Sequence, residues 1–418
     1  LWNLREKFDT NSDFNAYFPF IWHGFFIALT MTMIEMNTIL PSLISQLTDS
    51  PVAFGALYSV MLGAPVAFNW LFGRFQSNFP YRKQFLILGI YIRSLSFIGM
   101  AVVTFLLAKT YPLLALVSFY LLIFIFSLSG GFAGIAYTDL IGKLLPSEKR
   151  GGFFAVKQFF NGVGSLTGGL IVAWIFKPGA LEFPKNYTLA FLIGGIGLFI
   201  GVLGYLFMRE PPSTVNKKGN THGLAEYLGE IMGILKKDKE FVKFIVIENL
   251  TGFSLMILPF YIVFIKHNFG NYMNYLGFFV ISQIVGNIFS NFLWAAVSKK
   301  LGPKSVLKIC ILLGGTLPII AILLKPLGLS AYMILFLLIG FIGSGRGIGF
   351  DLYFLEIAPD VNRPLYLGIR GSLNVLVAFL PLAGGIFIKY FGFYMTFIMV
   401  SAVMYTAFLL SKLEFDFN

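Results

Sequence analysis

The sequence predicts an all-α membrane protein of twelve transmembrane helices, arranged as two pseudo-symmetric six-helix bundles with both termini cytoplasmic. Three observations carry this expectation. The 418-residue chain is 57% hydrophobic and only 12% charged, with a mean hydropathy of +0.81. A soluble domain could not hide that much apolar surface, whereas lipid accepts it. The apolar residues also fall in long runs, most near the roughly 20 residues that a bilayer requires. Finally, the chain reads twice. Ile39-Leu40-Pro41 recurs as Ile257-Leu258-Pro259. Gly55, Asn69, Leu71 and Arg82 recur 222 positions later as Gly277, Asn291, Leu293 and Lys304. Gly130, Gly134, Ile135, Pro146, Arg150, Lys157 and Asn161 recur 213 positions later as Gly343, Gly347, Ile348, Pro359, Arg363, Arg370 and Asn374.

In chain order the runs predict spans over residues 17–44, 52–73, 84–108, 113–142, 152–176, 188–208, 241–265, 273–297, 305–324, 329–357, 365–387 and 391–411. The 44 glycines suit close helix approach within them. The connections are short except one. Residues 209–240 join the sixth and seventh spans, which predicts a bundle over 1–208, a linker over 209–240 and a second bundle over 241–418. No small-residue cleavage site follows a short apolar core near the start, so the first span is expected to be retained.

Charge sets the orientation. Alternating the connections puts 23 Lys and Arg on the side of the N-terminus, 6 on the other and 2 (Arg93 and Arg346) within spans, accounting for all 31. The positive-inside rule then places the basic side in the cytoplasm and the chain in the cytoplasmic (inner) membrane. The net charge of +12 is thereby explained by topology and anionic lipid headgroups, and nucleic acid is not expected as a partner.

The linker opens with Pro211, Pro212 and Ser213, followed by Lys217, Lys218 and Gly219, the composition of a tether. Leu224, Tyr227, Leu228, Ile231, Met232 and Leu235 then recur at spacings of three and four. That pattern predicts a short amphipathic helix on the cytoplasmic surface, bracing the two halves.

Several local motifs have a family likeness. Tyr137-Thr138-Asp139-Leu140 ends the fourth span, and Pro146-Ser147-Glu148-Lys149-Arg150-Gly151 follows it. After the second span comes Gly73-Arg74-Phe75-Gln76-Ser77, then Arg82-Lys83. The fifth span carries Gly164-Ser165-Leu166-Thr167-Gly168-Gly169, whose repeat mate is Leu380-Pro381-Leu382-Ala383-Gly384-Gly385. With six plus six spans and a long central linker, the whole chain resembles the major facilitator superfamily of secondary transporters. The departures are specific. Ser77 stands where the family's loop has an acid, Ser165 replaces the proline of its antiporter motif, and Phe126-Ser127-Leu128-Ser129 lacks the arginine that many members carry in the fourth span. The resemblance implies a cavity lined by the first, fourth, seventh and tenth spans.

Ionisable groups within spans are costly and are candidate functional residues. Glu35, with Asn37 nearby, lies inside the first span, where a carboxylate can load and release a proton. Glu248 and Asn249 in the seventh span form a second candidate proton or substrate site. Arg346 lies in the glycine-rich middle of the tenth span, as a ligand for a substrate anion or a member of a coupling ion pair. Arginine does not readily lose its proton, so it needs a partner, with Asp351 or Glu35 as the candidates. His23 and Arg93 read instead as structural, one among aromatics and the other bracing helices. Asp139, Arg150, Lys157, Arg363 and Arg370 read as a cytoplasmic gate, whose ion pairs would break on opening.

Other chemistry is absent. There is no Gly-Lys-Ser/Thr phosphate loop, and His23, His222, His267 and Cys310 are too few and too scattered for a metal site. No enzyme activity, metal or cofactor is expected. The expected partners are a small-molecule substrate, a coupling ion (the proton) and membrane lipids, with the chain acting as a monomer. A duplicated hydrophobic bundle suits alternating access, so the leading expectation is a proton-coupled transporter of a small organic solute. The alternatives are export of amphipathic drugs, lipid flipping and, in another class, a membrane sensor that binds without flux.

Overall fold

In a computed structural model, which describes residues 10–206, 208–212, 224–359 and 363–415, the chain is helical with no strand among the described residues. Nine stretches of these residues are long and apolar enough to cross a membrane. The chain divides into two compact units, Leu1–Glu35 with Ala64–Lys217, and Met36–Gly63 with Lys218–Asn418.

The first unit contains α1 (Thr10–Met33), the later part of α3 (Pro51–Ser77), α4 (Lys83–Leu107), α5 (Pro112–Leu144), α6 (Ser147–Ile175) and α7 (Lys185–Leu206). α1 packs on α6 and α7, and α4 on α5 and α7. Small residues permit these approaches. A Cβ on Gly164 of α6 would strike the Phe25 carbonyl of α1, so only glycine fits there. Side-chain hydroxyls tie the same helices where no water competes. Thr30 Oγ1 donates to Gly194 O at 2.9 Å and Ser94 Oγ to Gly195 O at 2.7 Å.

The second unit contains α2 (Ile39–Leu47), the start of α3, α8 (Leu224–Lys237), α9 (Lys239–Gly252), α10 (Phe260–Asn268), α11 (Leu276–Leu301), α12 (Pro303–Leu323), α13 (Tyr332–Ile357), α14 (Arg363–Leu373) and α15 (Leu380–Phe415). α13 packs on α11 and α12, and α15 on α12 and α9. Residues 36–63 belong to this unit through specific ties. Gln46 Nε2 donates to Tyr272 Oη at 3.0 Å, Lys266 Nζ donates to Ser45 O, and the Leu382 amide donates to Ser59 Oγ at 3.1 Å. α8 forms where the linker's period predicts a helix. Ser213, Lys217, Lys218 and Gly219 of the tether, like His222, lie outside the described residues.

Three expected continuous spans are interrupted. The first ends as a helix at Met33 and resumes at Ile39. The seventh runs through a 3-10 turn at Phe253–Met256 before α10 begins at Phe260. The eleventh passes through a 3-10 stretch at Asn374–Phe379. Each interruption precedes a proline, namely Pro41, Pro259 and Pro381. A proline has no amide to donate, and its ring crowds the carbonyl four residues earlier. Those carbonyls belong to Asn37, Leu255 and Val377, all within or beside the breaks. Proline alone is not sufficient, because Pro19, Pro65 and Pro318 sit inside intact helices. α15 is itself divided at Gly392, whose φ of 76° leaves the helical region. This lies just inside the start read for the last span, 391–411.

Candidate functional site

The interruption of the seventh span creates the polar centre of the second unit. An α-helix leaves its last carbonyls without intrahelical partners, at the negative end of its dipole. Arg346, projecting from α13, takes them up. Its Nη1 donates to Thr251 O at 2.6 Å and to Ser254 Oγ at 2.9 Å, and its Nη2 donates to Glu248 O at 3.5 Å. The guanidinium carbon lies 5.4 Å from the centre of the Phe350 ring. Arg346 is thus held by a helix end, and one of the two acids expected for it from the sequence lies against another base.

That acid, Asp351, pairs with Arg370, whose Nη1 is 3.0 Å from Asp351 Oδ1. The pairing of Arg346 with Asp351 is therefore corrected. Five residues along a helix is about one and a half turns, which turns Asp351 away from Arg346. Arg370 also holds Glu248. Its Nη2 lies 2.6 Å from Oε1, and its Nε donates to both carboxylate oxygens at 3.0 Å. The Glu248 side chain is 9% exposed, against 70% for Asp351, so Glu248 is the buried member. Phe244 and Phe354 lie against the guanidinium. Asn249 Nδ2 donates to Asn374 Oδ1 at 3.2 Å and to Ile245 O at 3.0 Å. Glu248, Asn249, Arg346, Asp351 and Arg370 thus come together at the broken end of α9.

Glu35 and Asn37 lie in the non-helical stretch between α1 and α2, and the Glu35 amide donates to Thr32 O at 3.3 Å. Both are half-buried. Glu35 falls in the first unit and Asn37 in the second.

The proposed gate residues divide among different environments. Asp139 forms ion pairs with Arg82 Nη1 at 2.7 Å and with Lys143 Nζ at 2.8 Å. Lys143 also pairs with Glu210 at 2.6 Å. The Glu210 carboxylate accepts the amides of Arg82 and Lys83 at 2.8 to 2.9 Å, which sets an anion on the positive N-terminus of α4. Arg150 donates to Leu145 O and Gly142 O, satisfying the end of α5. Arg363 lies in α14, and its side chain is outside the described residues. Lys157 pairs with none of the described carboxylates. Its Nζ lies 5.1 Å from the centre of the Tyr137 ring.

Glu210, Arg82 and Lys143 are not among the candidate site residues read from the sequence, and Arg93 and His23 read there as structural. Glu210 was hidden by its position beside Pro211, where the chain reads as a tether. Arg93, His23 and Lys157 line a cavity of about 210 Å³ within the first unit, between α1, α4, α5 and α6.

A family model described as Major Facilitator Superfamily matches residues 21–350 and 244–415. No curated protein matches the chain in sequence. Among solved structures, a mutant of the nucleoside transporter NupG is similar with a TM-score of 0.71 at 15% identity, over 95% of this chain and 99% of that one. An auto-inhibited POT family peptide transporter gives 0.70 at 12% identity, over 96% and 97%. A D-xylose-proton symporter gives 0.66 at 16% identity, over 96% of each chain.

Proposed function

The chain belongs to the major facilitator superfamily of secondary transporters, and from that premise we propose that it moves a small organic solute across the cytoplasmic membrane by proton-coupled alternating access. In this reading it has twelve spans with both termini cytoplasmic and works as a monomer among lipids, without a cofactor or catalysed reaction. The observation that carries the reading is the matched interruption of the first and seventh spans beside Ile39-Leu40-Pro41 and Ile257-Leu258-Pro259. Discontinuous helices free backbone groups at depth, and transporters use such places to bind solute and coupling ion.

Each candidate then has a role. Glu35, in the first interruption, carries the coupling proton, and Asn37 offers an amide to the solute. Arg346 occupies the carbonyls of the second interruption, and Glu248, Asn249 and Asp351 complete the polar surface there. Arg370, with Asp139, Arg150, Lys157 and Arg363, rearranges as the cytoplasmic side opens and closes. A D-xylose-proton symporter is among the proteins of similar structure, so the fold is compatible with proton coupling.

The test is uptake into proteoliposomes under an imposed pH gradient, with nucleosides, pentoses, peptides and organic anions as solutes. One class should accumulate. Glu35→Gln should abolish gradient-driven accumulation while keeping exchange of labelled for unlabelled solute. Unchanged accumulation in Glu35→Gln would remove the coupling role. Absence of flux for every class, with ligand binding retained, would favour a sensor.

A further inference from the structure

The duplication supplies an internal control on buried charge. Lys157 and Arg370 occupy matching places in the two halves. Arg370 is neutralised by two acids of its own chain, Glu248 and Asp351. In the first half the matching positions carry no charge. Thr30 stands nine residues before Ile39, as Glu248 stands nine before Ile257, and Thr138 stands four residues after Gly134, as Asp351 stands four after Gly347. Both threonine hydroxyls are committed to backbone, Thr30 Oγ1 to Gly194 O at 2.9 Å and Thr138 Oγ1 to Gly134 O at 3.0 Å.

The deficit exceeds one charge. Arg93 lies ten residues into α4, about 15 Å along it, and lines the same cavity as Lys157. Its guanidinium carbon rests 4.3 Å from the centre of the Phe126 ring, and Nη2 reaches the Met31 thioether at 3.7 Å. Among the described residues, its Nε has no hydrogen-bond partner, and neither do the buried His23 Nδ1 and Tyr137 Oη. Among the described residues, no carboxylate lines the cavity. A guanidinium does not readily discharge by losing its proton, and a buried charge without a counter-ion costs several kcal/mol. The second half shows the same fold supplying that counter-charge from within.

We infer that this cavity of the first unit binds the carboxylate or phosphate group of an organic anion, with Arg93 and Lys157 as the cationic ligands and Tyr137 and His23 beside them. Arginine offers a planar fork to either group, and lysine a point charge. The volume of about 210 Å³ equals roughly seven waters, enough for such a head with a few carbons. The inference rests on the transporter reading only in treating the anion as cargo, and binding is measurable without flux.

The test uses the full chain in phosphatidylcholine nanodiscs, with thermal unfolding followed as inorganic phosphate, acetate or choline chloride is added at constant ionic strength. Phosphate or acetate should raise the midpoint saturably, and choline chloride should not. Lys157→Met and Arg93→Gln should each raise the half-saturating concentration about tenfold or more, and Lys109→Met, on an exposed residue, should not. A response already saturated in phosphatidylglycerol nanodiscs would identify the head as a lipid's, and an equal response in both lipids would identify a soluble solute. No saturable shift in either lipid, or a shift that survives in both Lys157→Met and Arg93→Gln, overturns the site. An anion response without flux in proteoliposomes would instead overturn the transport reading and leave the site standing.

Discussion

Arg370 Nη2 lies 2.6 Å from Glu248 Oε1, in an ion pair where the glutamate side chain is only 9% exposed and the arginine 15%. Removing one partner leaves the other charge uncompensated, whereas removing both does not. Arg370→Met should therefore lower stability by about 3 kcal/mol, and Glu248→Gln by a similar amount. The double variant should lose clearly less than the sum of the two. A double-mutant cycle on thermal unfolding in detergent measures this coupling. Additive losses would mean that the pair contributes nothing in the folded protein.

Glu210 makes a parallel prediction in the first unit. Its side chain is 3% exposed and accepts Lys143 Nζ and two amides at the start of α4. Glu210→Gln removes the charge at the positive helix end and weakens bonds that are charge-assisted, at a cost of about 1–3 kcal/mol. Glu182→Gln, in the loop before α7, should cost far less. Unfolding midpoints of the two variants, measured side by side, check the contrast.

Much of this was legible in the sequence, and what was not has identifiable causes. The duplication is visible because matched glycines, prolines and bases keep constant offsets. Glu248, Arg346, Asp351 and Arg370 stand out as ionisable groups in or beside apolar runs. Who pairs with whom was not legible. Asp351 is the nearest acid to Arg346 in sequence, yet rotation around α13 turns it to Arg370. The breaks were hidden because long apolar runs flank Glu35 and Asn37 on both sides, and hydropathy does not register the amide that Pro41 lacks. Arg93 and His23 were each weighed alone, and a lone base in a span reads as a brace. Their meaning comes from a shared cavity with no acid among its described lining residues, which only packing reveals.

Pro41 and Pro259 carry a prediction that separates function from stability. Replacing either with alanine restores an amide near the interruption and removes the ring that crowds the carbonyl of Asn37 or Leu255. The span can then close toward a continuous helix, gaining about 1 kcal/mol per hydrogen bond recovered. Pro41→Ala and Pro259→Ala should thus unfold at the same temperature as the parent or higher, while solute flux falls. Parallel thermal and flux measurements decide. Full flux in both variants would remove the interrupted helices from the mechanism.

Tyr272 is the acceptor that ties the early segment of the second unit to its later helices. Gln46 Nε2 donates to its hydroxyl at 3.0 Å, and Ser45 Oγ lies 3.2 Å from the same oxygen. Both are buried or half-buried, so no water readily substitutes for the lost partner. Tyr272→Phe keeps the ring and removes the oxygen, leaving the Gln46 amide unsatisfied at a cost of about 1–3 kcal/mol. Transient separation of α2 from Tyr272 should become correspondingly more frequent. In a chain carrying Cys310→Ser and Ser42→Cys, a membrane-impermeant maleimide should then label position 42 several-fold faster when Tyr272→Phe is added. Ser42 is suited to report this because it is fully buried and its hydroxyl lies 3.3 Å from the same tyrosine oxygen. Equal labelling rates would mean that apolar packing, such as that of Phe54 against Phe260, holds the segment without help from the hydroxyl.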